Sequence, residues 1–201
     1  FDGNPHAGVA YSAKLMALKF LSSTGSGDIS HSIELIEYAI DHGADIINAS
    51  WGGGGYSQAL ADAIAAANQA GILFVAAAGN DSRNNDTTPS YPSNYDVENI
   101  VSVAAIDRAG TLANFSNYGE MTVDIAAPGV EIYSSVSGSD TAYSSYAGTS
   151  MAAPHVAGVA ALLVSEFPGI GVQELKQRLF TSITPLTSLY GRVLTGGMVN
   201  A

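Results

Sequence analysis

The sequence has 201 residues, enough for one ordinary domain with a single hydrophobic core. Seven basic and eighteen acidic side chains give a net charge of −11, which disfavours nucleic acid and anionic membrane surfaces as partners. The absence of cysteine excludes disulfides, thiolate metal sites and a cysteine nucleophile. No run is long and apolar enough to predict a membrane span, and the first six residues do not resemble a targeting segment. We therefore expect one soluble domain over residues 1–201.

The first half of the chain alternates apolar runs with helical periods, which predicts an α/β fold with a parallel sheet flanked by helices. The predicted helices start at Asp28 or Ser30 and at Ser57, and the glycines Gly43 and Gly71 end them. Three apolar runs are predicted strands: Lys14 to Leu21, Asp45 to Ala49, and Ile72 to Ala78.

A polar stretch from Asn80 to Asp96 follows and is predicted to be a loop. Because compact domains rarely contain structureless loops longer than about 12 to 15 residues, this loop is expected to border a site. Strands are predicted from Ile100 to Ala105 and from Met121 to Ala126. The remaining predicted elements are a core helix from Gly148 to Phe167, apolar on nearly every side, and an amphipathic helix containing Val172, Leu175 and Leu179.

Ser150 lies in the first turn of the long apolar helix. A helix start offers unpaired backbone N–H groups and the positive end of the helix dipole, which favour a developing oxyanion. Pro154 has no N–H, so the carbonyl of Ser150 lacks its intrahelical partner. For an isolated serine at such a position, helix capping would be the simpler interpretation.

Four segments together favour a chemical role for Ser150. Residues 148–158 read GTSMAAPHVAG, and NASWGG, AAGN and APGVEIYS stand at 48–53, 77–80 and 127–134. These segments resemble those of the subtilisin-like serine proteases, in that family's order and spacing, and the likeness runs from about Gly8 to Asn200. The resemblance implies a three-layer sandwich, truncated at its N-terminus, so that residues 1–201 form a single partial peptidase domain. It also implies hydrolysis of peptide bonds through an acyl-enzyme.

The resemblance assigns roles to residues of this chain. Ser150 corresponds to the nucleophile, and its backbone N–H together with the side-chain amide of Asn80 corresponds to the oxyanion hole. Without the resemblance, Asn80 would be interpreted as a loop residue.

A second group of residues corresponds to the family's peptide-binding cleft, with extended peptides or proteins as substrates. Gly25 to Gly27 would pair with the peptide backbone by strand addition, which predicts broad specificity. The implied substrate-binding residues are Gly25, Ser26, Gly27, Ser50, Trp51, Gly52, Gly53, Ala77, Ala78, Gly79 and Thr149.

Two purely structural interpretations remain as alternatives to a role in the cleft. Trp51 could be a core aromatic, and the glycines that follow it could form a flexible turn. A nucleotide-binding loop is disfavoured because GGGGYSQ lacks the Lys and Ser/Thr ending of a phosphate-binding loop.

The acid and the base of a serine protease triad have no counterpart in this sequence. The family carries them in D-[ST]-G and H-G-T-H-V-A-G segments, and neither occurs here. His155 lies five residues after Ser150 and points away from it, and His6, His31 and His42 are expected to be solvated. We expect this chain alone to bind peptides but to be inactive or nearly so. A pseudoprotease or peptide-binding module is the alternative.

In the family the acid-bearing strand lies between the strands that correspond to Lys14 to Leu21 and Asp45 to Ala49. Without it, either these two strands pair directly, or a second copy or a separate segment fills the slot.

Local chemistry gives three smaller expectations. The Tyr91–Pro92 bond is expected to be cis, by resemblance to a turn of the family. No organic cofactor is expected, and calcium has no clear site: Ser93 to Tyr95 offer only a weak carbonyl site, and Asp81 and Asp86 are expected to be solvated acids. The family's habit of export suggests a secreted protein.

Overall fold

The computed structural model describes residues 7–201, which form a mostly parallel sheet with helices on both faces. The helices are α1 (Ile29–Asp41), α2 (Gln58–Gln69), α3 (Thr149–Glu166) and α4 (Val172–Thr181). The strands are β1 (Ile46–Ala49), β2 (Leu73–Ala77), β3 (Ile100–Ile106), β4 (Ile125–Pro128), β5 (Ile132–Ser135), β6 (Tyr143–Tyr146), β7 (Thr184–Pro185) and β8 (Gly197–Met198).

The main sheet has the order β1-β2-β3-β4-β8-β7, and every neighbouring pair is parallel except β7 with β8. Strands β5 and β6 form a separate antiparallel hairpin. The predicted α/β class with a helix-flanked parallel sheet is confirmed.

Strand β2 shows how the three layers are held together. Leu73, Val75 and Ala77 pack into the cluster formed with α3 and α4, whereas Phe74 and Ala76 pack against α1 and α2. Successive side chains of a strand point to opposite faces, so a strand covered on both faces must be apolar throughout. The continuous apolar run in the sequence therefore indicated a strand in the interior of the sheet.

The boundaries of α1 and α2 follow the predicted start and stop signals. The Ser57 hydroxyl accepts a hydrogen bond from the backbone N–H of Leu60 at 3.4 Å. Asp28 occupies the corresponding position before α1 but makes no such side-chain bond. Gly43 and Gly71, with φ of 67° and 79°, adopt the left-handed conformation that ends a helix at low cost.

The predicted strand from Lys14 to Leu21 is wrong. This segment forms no strand, the side chain of Leu15 is 93% exposed, and among residues 7–201 β1 pairs only with β2. An apolar run becomes a strand only where a neighbouring backbone supplies hydrogen bonds, and no described segment does so here. Direct pairing of Lys14–Leu21 with Asp45–Ala49 is therefore also wrong.

Smaller differences have local causes. The strand predicted from Met121 begins only at Ile125, because the N–H groups of Met121 and Thr122 donate to the Asp86 carboxylate instead of a strand. Helix α3 is buried on one face only, and Leu162 is 39% exposed. The Tyr91–Pro92 bond is cis, as predicted.

Asp124 is a buried carboxyl directly before β4. Its Oδ2 accepts a hydrogen bond from the Ser102 backbone N–H at 2.7 Å. Burial raises the pKa of Asp124 above its ordinary value of 3.8, against the smaller opposing effects of Lys176 and of the Ser102 N–H. The fold therefore disfavours the ionised form of this carboxyl.

This burial predicts a dependence of stability on pH. The stabilising contribution of Asp124 is complete below the unfolded pKa and is lost as the pH rises through the raised folded pKa. An Asp124→Asn variant keeps an acceptor for Ser102, and we expect its stability to rise relative to the native chain as the pH increases above about 4. Urea unfolding across this range measures the difference. A difference between the two proteins that does not change with pH would contradict the prediction.

Candidate active site

The start of α3 lies at the carboxyl edge of the parallel sheet, where the segments that follow three strands converge. Ser50 follows β1, Gly79 follows β2, and Gly129 follows β4. The N–H of Gly148, the residue that precedes α3, donates to the carbonyl of Gly129 at 2.8 Å. Carboxyl edges of parallel sheets commonly form ligand sites, and this edge presents a half-buried Ser150 as the second residue of α3.

The side chain of Asn80 is bonded to the start of α3. Its Oδ1 accepts from the Thr149 backbone N–H at 2.8 Å and lies 3.0 Å from the Thr149 hydroxyl. A backbone N–H can only donate, so the atom facing it must be the amide oxygen. The two N–H groups of Nδ2 therefore face away from Thr149, and Asn80 is exposed.

Thr149 holds this arrangement from inside the protein. It is fully buried, and its hydroxyl oxygen accepts from the Gly79 backbone N–H at 3.2 Å while its own proton goes to Asn80. One side chain thus connects the end of β2 to the start of α3. Sequence reasoning gave Thr149 only a substrate-binding role, since contacts between residues 69 positions apart leave no local signal.

The predicted cleft wall at Ser50 to Gly53 also touches α3. The Ser50 hydroxyl donates to the Ser150 carbonyl at 2.8 Å, so the carbonyl that Pro154 leaves unpaired has a partner. The Gly53 N–H donates to the carbonyl of Tyr91 at 3.1 Å, and a Cβ on Gly52 would lie 3.3 Å from the same carbonyl.

Trp51 is half-buried and has two environments. It packs against the core of α1 and α2, as predicted for a core aromatic. Its ring also contacts that of Phe20 edge-on, with the ring centroids 5.3 Å apart. The Phe20 ring also lies where a Cβ on Gly27 would be, 2.6 Å from its nearest atom. Phe20 therefore links Trp51 to the exposed Gly25–Gly27 segment.

The other predicted wall is mostly interior. Ala77 and Ala78 are buried, and Gly79 is half-buried. Their role in substrate binding, like that of Gly25 to Gly27, stays a prediction.

The described histidines are bonded elsewhere. His155 Nδ1 lies 2.8 Å from the Met151 carbonyl, and His42 Nδ1 lies 2.8 Å from the Tyr38 carbonyl. His31 is exposed and lies 3.8 Å from Asp28 in the first turn of α1. His6 lies outside the described residues. Within residues 7–201, no histidine is hydrogen-bonded to Ser150.

The acidic residues of the long loop were predicted to be solvated, and this is wrong for Asp86. Its Oδ1 accepts from Thr122 Oγ1 at 2.7 Å as well as from two backbone N–H groups. Asp81 is exposed and lies 4.0 Å from Arg83. In the Ser93–Tyr95 turn, the Tyr95 carbonyl already accepts from Val97. In the described part of the chain, no three His, Asp or Glu side chains group as metal ligands would.

Comparison with known proteins adds an independent result. A family model described as the subtilase family matches residues 2–195. Subtilisin DY of Bacillus licheniformis is 40% identical over 96% of this chain and 68% of its own length. The thermostable alkaline protease of Halalkalibacterium halodurans is 43% identical over 96% of this chain and 51% of its own length.

Two solved structures show the same similarity in three dimensions. A protease from Pseudoalteromonas arctica superposes with a TM-score of 0.86 at 34% identity, covering 96% of this chain and 62% of that one. A cold adapted subtilisin-like serine proteinase gives a TM-score of 0.76 at 34% identity, covering 90% of this chain and 63% of that one. The chain spans about half to two thirds of the relatives it matches.

The fold and the site define a subtilisin-like α/β protein. The chain belongs to the subtilase family.

The role of Thr149 as a connector can be tested by stability. A Thr149→Val variant keeps the shape but leaves the Gly79 N–H unpaired, so we expect a loss of about 1 to 3 kcal/mol in the free energy of unfolding. Urea denaturation measures it, and Thr149→Ser, which keeps the hydroxyl, serves as the control. A valine variant no less stable than the serine variant would contradict this role.

Proposed function

We propose that this chain carries the nucleophile and the oxyanion hole of a serine endopeptidase that hydrolyses peptide bonds through an acyl-enzyme on Ser150. The orientation of Asn80 supports the proposal most directly. Its Oδ1 is held by Thr149, so Nδ2 remains to donate to a second acceptor beside the start of α3.

The chemistry follows from these positions. Ser150 Oγ attacks the peptide carbonyl carbon, and the carbonyl oxygen becomes an oxyanion. The Ser150 N–H and Asn80 Nδ2 donate to this oxyanion, and the positive end of the α3 dipole stabilises it further. An amide is suited to this task because it donates a hydrogen bond without titrating. The base that took the proton of Ser150 Oγ gives it to the leaving amine as the C–N bond breaks. Water, deprotonated by the same base, then attacks the ester, and the proton returns to Ser150 Oγ as the acid product leaves.

The proton of Ser150 Oγ needs a base, and the base needs an orienting acid. The three described histidines are occupied by other contacts. We propose that both groups come from polypeptide other than this chain, so that the chain alone is inactive or nearly so. Within residues 7–201 the outer edge of β1 has no partner strand, and Ile46 and Ile47 are only half-buried. Such a segment or a second copy would complete the sheet at this edge.

Extended peptides or proteins are the proposed substrates. Gly25 to Gly27 are exposed, and Gly25 adopts a φ of 80° in a tight turn closed by Ser22. Main-chain pairing along such a segment does not depend on the side chains of the peptide and therefore gives broad specificity. A net charge of −11 disfavours nucleic acid and anionic membranes as partners.

The proposed reaction needs no cofactor and does not depend on where the protein is located. Acyl transfer to a serine requires neither an organic cofactor nor a calcium ion. Export is proposed from the family resemblance and the cysteine-free acidic composition. No helix in the described residues is long and apolar enough to cross a membrane.

The experiment compares variants of the full-length gene product that contains this chain. Ser150→Ala is expected to abolish peptide hydrolysis and labelling by a serine-directed phosphonate. Asn80→Ala is expected to lower kcat by about 10² to 10³ with little change in KM, a magnitude carried over from subtilisin. Exposed Asn114→Ala serves as the amide control.

The isolated chain is the second arm of this experiment. We expect Ser150 to react slowly with the phosphonate there, because no base activates it, although peptide should still bind. Rapid labelling would contradict the assignment of the base to other polypeptide. A full-length protein that binds peptide but neither hydrolyses it nor reacts with the phosphonate would support the pseudoprotease alternative.

A further inference from the structure

The carbonyl of Ser150 is free to bond outside its own helix. In an α-helix the carbonyl of residue 150 would accept from the N–H of residue 154, and Pro154 has none. The next carbonyl along the helix, that of Met151, has a side-chain partner on the same helix, because His155 Nδ1 lies 2.8 Å from it. The missing bond therefore falls on the residue that carries the nucleophile.

Ser50 supplies the missing donor from the end of β1. Its hydroxyl lies 2.8 Å from the Ser150 carbonyl, and Asn48 Nδ2 donates to the same hydroxyl oxygen at 2.9 Å. A serine has a single hydroxyl proton and a carbonyl can only accept, so that proton is directed at Ser150. Asn48 then fills the acceptor side of the hydroxyl and fixes its rotation.

The first two residues of α3 are thus tied to two different strand ends. Thr149 is bonded to Gly79 and Asn80 after β2, and Ser150 is bonded to Ser50 after β1. Fixing both peptide units around Ser150 fixes the direction of its side chain and of its N–H. Small displacements of a reacting atom are costly in catalysis.

We infer that Ser50, oriented by Asn48, is a positioning residue that holds the nucleophile in place through the carbonyl that Pro154 leaves unpaired. This inference rests on the proposed function of Ser150. It is separate from the place of Ser50 in the wall of the substrate cleft, because it acts through the hydroxyl and through α3.

A double-mutant cycle in the full-length gene product tests the inference. Ser50→Ala is expected to lower kcat about tenfold, with KM changed less than about twofold, because the acyl-forming group loses its anchor. Pro154→Ala restores an N–H to the helix, so the same Ser50→Ala change is expected to cost less than about twofold in kcat there. Ser50→Thr, which keeps the hydroxyl, should restore most of kcat.

Stability provides the second readout and the control. Ser188→Ala removes another serine hydroxyl bonded to a distant carbonyl, that of Gly110, and should lower stability without changing kcat. A Ser50→Ala variant that keeps full kcat, or that loses the same factor with Pro154 and with Ala at position 154, would overturn the inference.

Failure of the proposed function and failure of the inference about Ser50 give different results. If the unsubstituted protein neither hydrolyses peptide nor reacts at Ser150, the proposed function has failed. In that case the Ser50–Pro154 cycle is measured in the free energy of urea unfolding. The absence of coupling there would overturn the hydrogen bond itself, and with it the inference.

Discussion

The site depends on one hydrogen bond, from the Thr149 backbone N–H to Oδ1 of Asn80. Because the donor cannot accept, this bond decides which end of the Asn80 amide faces the helix and which faces outward. The exposed donor group and the N–H of Ser150 then belong to one rigid unit, the start of α3. An oxyanion hole requires donors that are in place before charge develops, and this bond supplies that preorganisation.

The rest of the fold keeps this helix start fixed. Parallel strands bring the segments after β1, β2 and β4 to one edge, and each contributes a hydrogen bond to residues 148–150. Pro154 opens a bonding position at Ser150 that a regular helix would have closed. The arrangement uses small and polar side chains, since larger ones would separate the helix from the strand ends: a Cβ on Gly129 would lie 2.8 Å from the Gly148 carbonyl.

The sequence predicted what local patterns determine. Strand β2 is apolar at every position because both of its faces are covered. Helix α2 begins directly after Ser57, whose hydroxyl accepts from the otherwise free N–H of Leu60. The strand predicted from Lys14 to Leu21 was wrong because an apolar run does not reveal whether a partner strand exists. The bond from Ser50 to Ser150 spans 100 positions, so no local pattern predicts it. Only Pro154 indicated that the Ser150 carbonyl needs a donor from outside its helix. Family resemblance identified Ser150 and Asn80, but their connection through Thr149 required the structure.

In the proposed reaction, Asn80 Nδ2 and the Ser150 N–H donate to the same oxygen. A crystal structure of the full-length gene product with a peptide boronate bonded to Ser150 Oγ measures this directly. We expect one boronate oxygen within about 2.7 to 3.1 Å of both donors, with Asn80 Oδ1 still bonded to Thr149. An adduct oxygen bonded to neither donor, or Asn80 turned away from Thr149, would contradict it.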